Sequence, residues 1–233
     1  MSKSLGNFWT VREALEKYDP LVLRQALLNA HYRSPIDLTE QLIEDAKGHH
    51  AKLVEAYGHA LVVTQQAKKA GMQEAPRLPQ ADVASADFLA SKLGLLEKLL
   101  QEAAIAMDDD FNSRQALAKV TNGARLIPQI LNNEDIDESD TAAFAMYAID
   151  WLEEFAGAVL GLLPDKDVAM AVHDPSLDPA RQAVKDEVEQ LLARRAIARA
   201  AKDWDSADEI RDALAAMGVS VKDTPDGVVW TLE

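Results

Sequence analysis

Two groups of side chains in this sequence are placed so that they could act on a bound molecule. The first is the run Met1, Ser2, Lys3, Ser4, followed by Gly6 and Asn7. One lysine among small hydroxyl and glycine residues makes a loop with little bulk to shield an anion. The ammonium is a point charge, and the hydroxyls and backbone N–H groups are donors that can fold over a polyphosphate. On residue types alone the same run also reads as a solvated arm. The second group is Arg199, Trp204, Asp208 and Arg211. On a helix starting after Asp203, Trp204, Asp208 and Arg211 share a face at i, i+4 and i+7. An indole to stack on, a carboxylate to accept from base amino and imino groups, and two guanidiniums to reach base edges and phosphates are what reading an unstacked base requires. The alternative on spacing alone is a core tryptophan beside surface ion pairs.

Other polar clusters carry less. Asp108, Asp109 and Asp110 are adjacent, so on a helix their carboxylates diverge and do not converge on one ion. They read as a cap between helices, with Asp110 or Asn112 accepting from the first N–H groups of the next one. His49 and His50 point to different sides and His59 is too far off to share a ligand, so solvated histidines are expected and no metal site. No residue is assigned a catalytic role.

Composition narrows the classes. The 233 residues hold 39 acidic and 24 basic side chains, a formal net charge of −15. Such a field repels polyanions, so any RNA contact must be local, specific and salt-sensitive. There is no cysteine, which excludes disulfides and thiolate zinc sites. There is no apolar run long enough for a bilayer and no signal-peptide pattern, so a soluble, cytoplasmic chain is expected.

The elements that must position these groups read as mainly α. Asp19-Pro20 is a cap followed by proline at the first helical position, and two short helices, with Val11, Leu15 and Tyr18 and then Leu23, Leu27 and Leu28 apolar, should occupy residues 1–34 behind the loop. Pro35 forces a bend, and Asp37 with Glu40 could cap the helix after it. Four long amphipathic helices over residues 35–163 make a bundle, with Phe88, Leu96, Ile127, Phe144 and Val159 among the inward positions. Residues 164–179, rich in charge and proline, read as a linker. Residues 180–233 read as a small α+β domain of two helices and a β-hairpin.

Four separated strings, MSKSLGNF, HYRSP, AMDDDFN and KDW…AD…RD…DTPDG…W, resemble the cysteinyl-tRNA synthetases, class I enzymes whose second ATP signature loop is Lys-Met-Ser-Lys-Ser. The resemblance implies a DALR-like anticodon-binding bundle and a C-terminal anticodon-recognition domain. It implies ATP contact for Met1, Ser2, Lys3 and Ser4, with Lys3 matching the loop's second lysine. It implies anticodon contacts for Arg199, Trp204, Asp208, Arg211 and Asp223. Val229 departs from the threonine that the family often has before its final tryptophan. The partner implied is tRNA(Cys). The catalytic Rossmann half, with its zinc site and cysteine pocket, is expected ahead of Met1, as a further partner if it is a separate chain. By this reading the chain alone binds tRNA and does not aminoacylate. A helical protein-interaction module without RNA binding, and part of a cysteine:amino-sugar ligase, are the alternatives.

Overall fold

The computed structural model describes residues 10–72, 77–84, 86–200, 203–217, 219–224 and 227–232. Met1, Ser2, Lys3 and Ser4 lie outside them. The chain divides into two compact units, one ending at Pro175 and one beginning at Ser176.

In the first unit, α1 (Val11–Lys17) starts on a capping box: Glu13 N donates to Thr10 Oγ1 at 3.2 Å, and Thr10 N donates back to Glu13 Oε2 at 2.7 Å. The Thr10 backbone and hydroxyl donors hold the Glu13 carboxyl below its ordinary range. Helix α2 (Pro20–Leu28) starts as its sequence predicts, with Asp19 accepting from Leu21 N at 2.8 Å. Ala14, Val22, Leu23 and Ala26 from these helices close a small core with Ile43 and Ala46 of α3 (Glu40–Lys69). Thr39, rather than Asp37, caps α3 by accepting from Leu42 N. Val11 and Leu15, expected on an apolar face, are exposed. A helix as short as α1 has one buried position, Ala14.

The bundle consists of α3, α4 (Phe88–Asp108), α5 (Ser113–Leu131) and α6 (Glu138–Leu152), the last continuing through a π turn at Glu153–Gly157. Leu53, Leu96, Ile127, Ile130, Phe144 and Leu152 fill its centre. Trp151 joins three helices: its Nε1 donates to Leu96 O at 3.0 Å, and its ring lies where a Cβ on Gly123 would stand 2.2 Å from Cη2. Phe88 and Val159, expected inward, are exposed: Phe88 is the first residue of α4 and Val159 lies past the π turn.

Residues 164–179 are not the plain linker expected. They carry α7 (Lys166–His173), which packs on α3. Ala169 is fully buried against Gly58, where an added Cβ would stand 2.0 Å from the Ala169 carbonyl oxygen. With a single buried side chain, α7 shows no period to read. The histidines of α3 are also not all solvated. His50 is buried with Nε2 2.9 Å from Leu162 O. His59 is buried and stacks on His173, centroids 4.3 Å apart, while His173 Nδ1 lies 2.6 Å from Glu55 Oε1.

In the second unit, α8 (Pro179–Ala200) and α9 (Trp204–Ala216) close on a core of Val188, Leu214 and Val219. Strands β1 (Val219–Thr224) and β2 (Gly227–Leu232) pair antiparallel, Val219 opposite Leu232. Among the described residues, no helix is long and apolar enough to cross a membrane.

This packing makes two outcomes testable. Gly123→Ala should destabilise the first unit by about 1–3 kcal/mol through overpacking against Trp151, read as a lowered midpoint of chemical denaturation. Burial, and then the neighbouring His173, depress the proton affinity of His59, against a smaller pull from Glu55. The unfolded chain therefore takes up a proton that the folded chain does not as pH falls through the ordinary histidine range near ~6.5. Thermal stability should fall between pH ~7.5 and ~5.5, and fall less steeply in His59→Gln.

Candidate functional site

The sequence-predicted site in the second unit begins with a helix cap. The Asp203 carboxylate accepts from Ser206 Oγ at 2.7 Å and from Ser206 N at 3.2 Å, and these bonds hold it below its ordinary proton affinity. The cap starts α9 at Trp204, whose side chain at the first helical position is 58% exposed. The ring is therefore not the core tryptophan that spacing alone allowed. Asp208 and Arg211 follow along α9, both exposed, with Arg211 Nη1 3.1 Å from Asp208 Oδ1 and Nη2 3.7 Å from Asp212. The surface ion pair of the alternative reading is thus present beside an accessible indole. Arg199 is exposed in the last turn of α8 and is already engaged in an interaction. Asp223 stands on β1 opposite Val228. An exposed indole, a carboxylate and a guanidinium within two turns of one helix can stack on and hydrogen-bond a flat heterocycle.

A second constellation is not visible in the sequence. The strings HYRSP and AMDDDFN meet in space. Tyr32 Oη donates to Asp110 Oδ1 at 2.8 Å, Arg33 Nη2 donates to the same oxygen at 3.0 Å, and Arg33 Nε donates to Tyr32 Oη at 2.8 Å. The His31 and Tyr32 rings stack with centroids 4.9 Å apart, and the Arg33 guanidinium lies 5.4 Å from the Tyr32 centroid. The hydrogen bond to Asp110 raises the Tyr32 hydroxyl above its ordinary range. Asn112 caps α5, accepting from Gln115 N at 3.2 Å, whereas Asp110 turns to the other segment. Asp110 and Phe111 both take left-handed backbone, φ 57° and 52°. That turn sends the N–H groups of Phe111 and Asn112 back to Met107 O and Ala106 O, each at 3.0 Å. A side chain 77 residues away, as Arg33 is from Asp110, leaves no local signal in either string.

The Lys3 loop lies outside the described residues. Among them no group of three or more His, Asp or Glu could bind a metal, and the chain has no cysteine.

Three family models match: the cysteinyl-tRNA ligase anticodon binding domain over residues 181–230, the DALR domain over residues 104–164, and the tRNA synthetases class I (C) catalytic domain over residues 1–48. The chain is 39% identical over 234 residues to a cysteine–tRNA ligase of Geobacter sulfurreducens, an alignment covering all of this chain and 45% of that one. It is 38% identical to that of Geobacter metallireducens over the same shares. It is 36% identical to that of Symbiobacterium thermophilum, over 99% of this chain and 42% of the relative. The chain thus spans a little under half the length of these relatives.

The left-handed corner gives a test that separates backbone from side chain. Asp110→Ala loses the bonds to Tyr32 and Arg33 and puts an alanine at positive φ. Asp110→Gly loses the same bonds and keeps the backbone relaxed. Denaturation should find Asp110→Gly the more stable of the two variants, by about 1 kcal/mol.

Proposed function

The chain belongs by sequence to the cysteine–tRNA ligase family, and from that premise we propose that it is the tRNA-binding portion of such an enzyme. The whole enzyme joins cysteine to tRNA(Cys) in the cytoplasm, consuming ATP and releasing AMP and pyrophosphate. Amino-acid activation, with zinc, is assigned to the part of the relatives' length that this chain does not span. Lys3, with Met1, Ser2 and Ser4, contributes to the ATP side of that chemistry only together with that part. On its own the chain binds tRNA and does not aminoacylate it.

The observation that carries this reading is the exposed indole of Trp204, held at the first turn of α9 within the segment that matches the anticodon-binding domain. The proposed roles follow from chemistry. Trp204 stacks on an anticodon base. Asp208 accepts from its edge, and Arg211 and Arg199 donate to base edges or phosphates. Asp223 is assigned a base contact on the resemblance alone. The Asp208–Arg211 pair is more than half exposed on both sides, so it is a weak link that either group can exchange for a base.

Titration of labelled tRNA(Cys) transcript with the purified chain tests the reading. Binding should weaken with salt, and Trp204→Ala should cost about 1–3 kcal/mol, the worth of one stacked base. Trp204→Phe should recover part of the loss. A chain that binds no tRNA at low salt is instead the helical interaction module without RNA binding, and one that binds it equally well without Trp204 overturns the stacking role of that indole.

A further inference from the structure

A cleft of about 200 Å³ opens in the first unit between α2, α3 and α5. One wall is α5, where Arg114, Ala118, Thr121 and Arg125 lie at i, i+4, i+7 and i+11 along a single face. Gln25 and Asn29, one turn apart on α2, and His49 of α3 line the rest. No carboxylate lines it, in a molecule with a net charge of −15. Among the described residues, neither Arg114 nor Arg125 is paired with a carboxylate. The adjoining depression adds Lys52 beside Arg125, and its one acid, Glu55, already meets His173 at 2.6 Å.

The cleft also holds an unmet demand. Gln25 is 1% exposed, and its Oε1 has no hydrogen-bond partner. A buried amide oxygen without a donor is costly, and a ligand that brings a hydroxyl relieves it. The cleft therefore asks for two chemistries together, anionic oxygens for the guanidiniums and an O–H donor for Gln25. Arg114 and Arg125 are eleven residues apart on α5, about 16 Å along the axis. That spacing suits two separated charges along a polymer better than one small anion.

We propose that this cleft binds the ribose–phosphate backbone of an RNA strand, with Arg114 and Arg125 on phosphate oxygens and Gln25 Oε1 accepting from a ribose 2′-hydroxyl. The 2′-hydroxyl is the group that distinguishes RNA from DNA at such a site. The assignment rests on the reading of the chain as a tRNA binder, and adds to the base-reading end a separate grip on the backbone.

Two measurements on the full chain test it. In salt titrations with tRNA(Cys) transcript, Arg114→Gln combined with Arg125→Gln should flatten the dependence of log K on log salt by about one unit per arginine. Trp204→Ala should weaken binding with the slope unchanged. A double variant with wild-type slope and affinity, while Trp204→Ala still loses affinity, overturns the cleft and leaves the tRNA reading standing. Independently of tRNA, the arginine Nε–H resonances can be followed as a short oligouridylate, its deoxy counterpart or inorganic phosphate is added. Arg114 and Arg125 should respond most to the ribose form, and Gln25→Leu should abolish the preference over the deoxy form. An equal response to inorganic phosphate makes this a site for the free anion, and no response to any of the three removes it; either overturns the backbone assignment.

Discussion

The geometry of the first unit depends on one corner, the left-handed pair Asp110 and Phe111 between α4 and α5. Neither residue is glycine, and phenylalanine at positive φ is an uncommon and costly choice. The corner is held because its backbone and one side chain are both used. Two N–H groups return to the last carbonyls of α4, and the Asp110 carboxylate accepts from Tyr32 and Arg33 just beyond α2. Ser113, at the start of α5, donates to Leu28 O at 3.1 Å. One turn of chain thus sets both the direction of α5 and the place of α2 against it. The cleft with Gln25 on one wall and Arg114 on the other lies between these two helices. Arg24 and His50 anchor the far side, meeting the carbonyls of Leu160 and Leu162. Gly161, at φ 64°, leaves room there for the Arg24 guanidinium.

A net charge of −15 sets the second constraint. Long-range attraction cannot bring a polyanion to this surface, so the contacts must be short-range and few. Arg114 and Arg125, with the His49 ring, line one cleft without a carboxylate, whereas Arg211, within two turns of an accessible indole, pairs with Asp208. Lys17 with Glu40, Lys119 with Glu102 and Lys166 with Glu153 are among the basic groups paired with the protein's own acids. Those pairs are at least a third exposed and contribute little to stability.

Local chemistry is legible in the sequence, and remote chemistry is not. Asp19-Pro20 and Asp203 each announce a helix start, because a cap is made by side chains two or three residues from the N–H they accept. The mainly α architecture emerges from apolar periodicity over helices of four or more turns. The α7 segment escapes, since Ala169 is buried by the missing side chain of Gly58 on another helix. His50 and His59 read as solvated because nothing near them in sequence is Leu162 or His173. Phe88 reads as inward although it opens α4 beyond the core. Asp110 or Asn112 reads as the cap of α5, and Asn112 is the one that fills it. The HYRSP and AMDDDFN strings each stand out, but the hydrogen bonds between them belong to the fold. At the proposed base-reading end, spacing places Trp204, Asp208 and Arg211 on one face and cannot say whether that face is wet.

The wetness of that face has an energetic reading. An indole left 58% exposed forgoes much of the burial that a large aromatic side chain can gain. A single exposed apolar residue is ordinary, but its neighbours here are not inert. An exposed Asp–Arg pair is worth about 0–1 kcal/mol in water, whereas a hydrogen bond to a charged group in a desolvated contact is worth about 1.5–3 kcal/mol. A base that stacks on Trp204 excludes water from Asp208 and Arg211 and moves them from the first regime toward the second. The α9 face thus costs little to hold open. Its groups gain most when a flat, hydrogen-bonding ring arrives, so stacking and edge contacts should reinforce one another there.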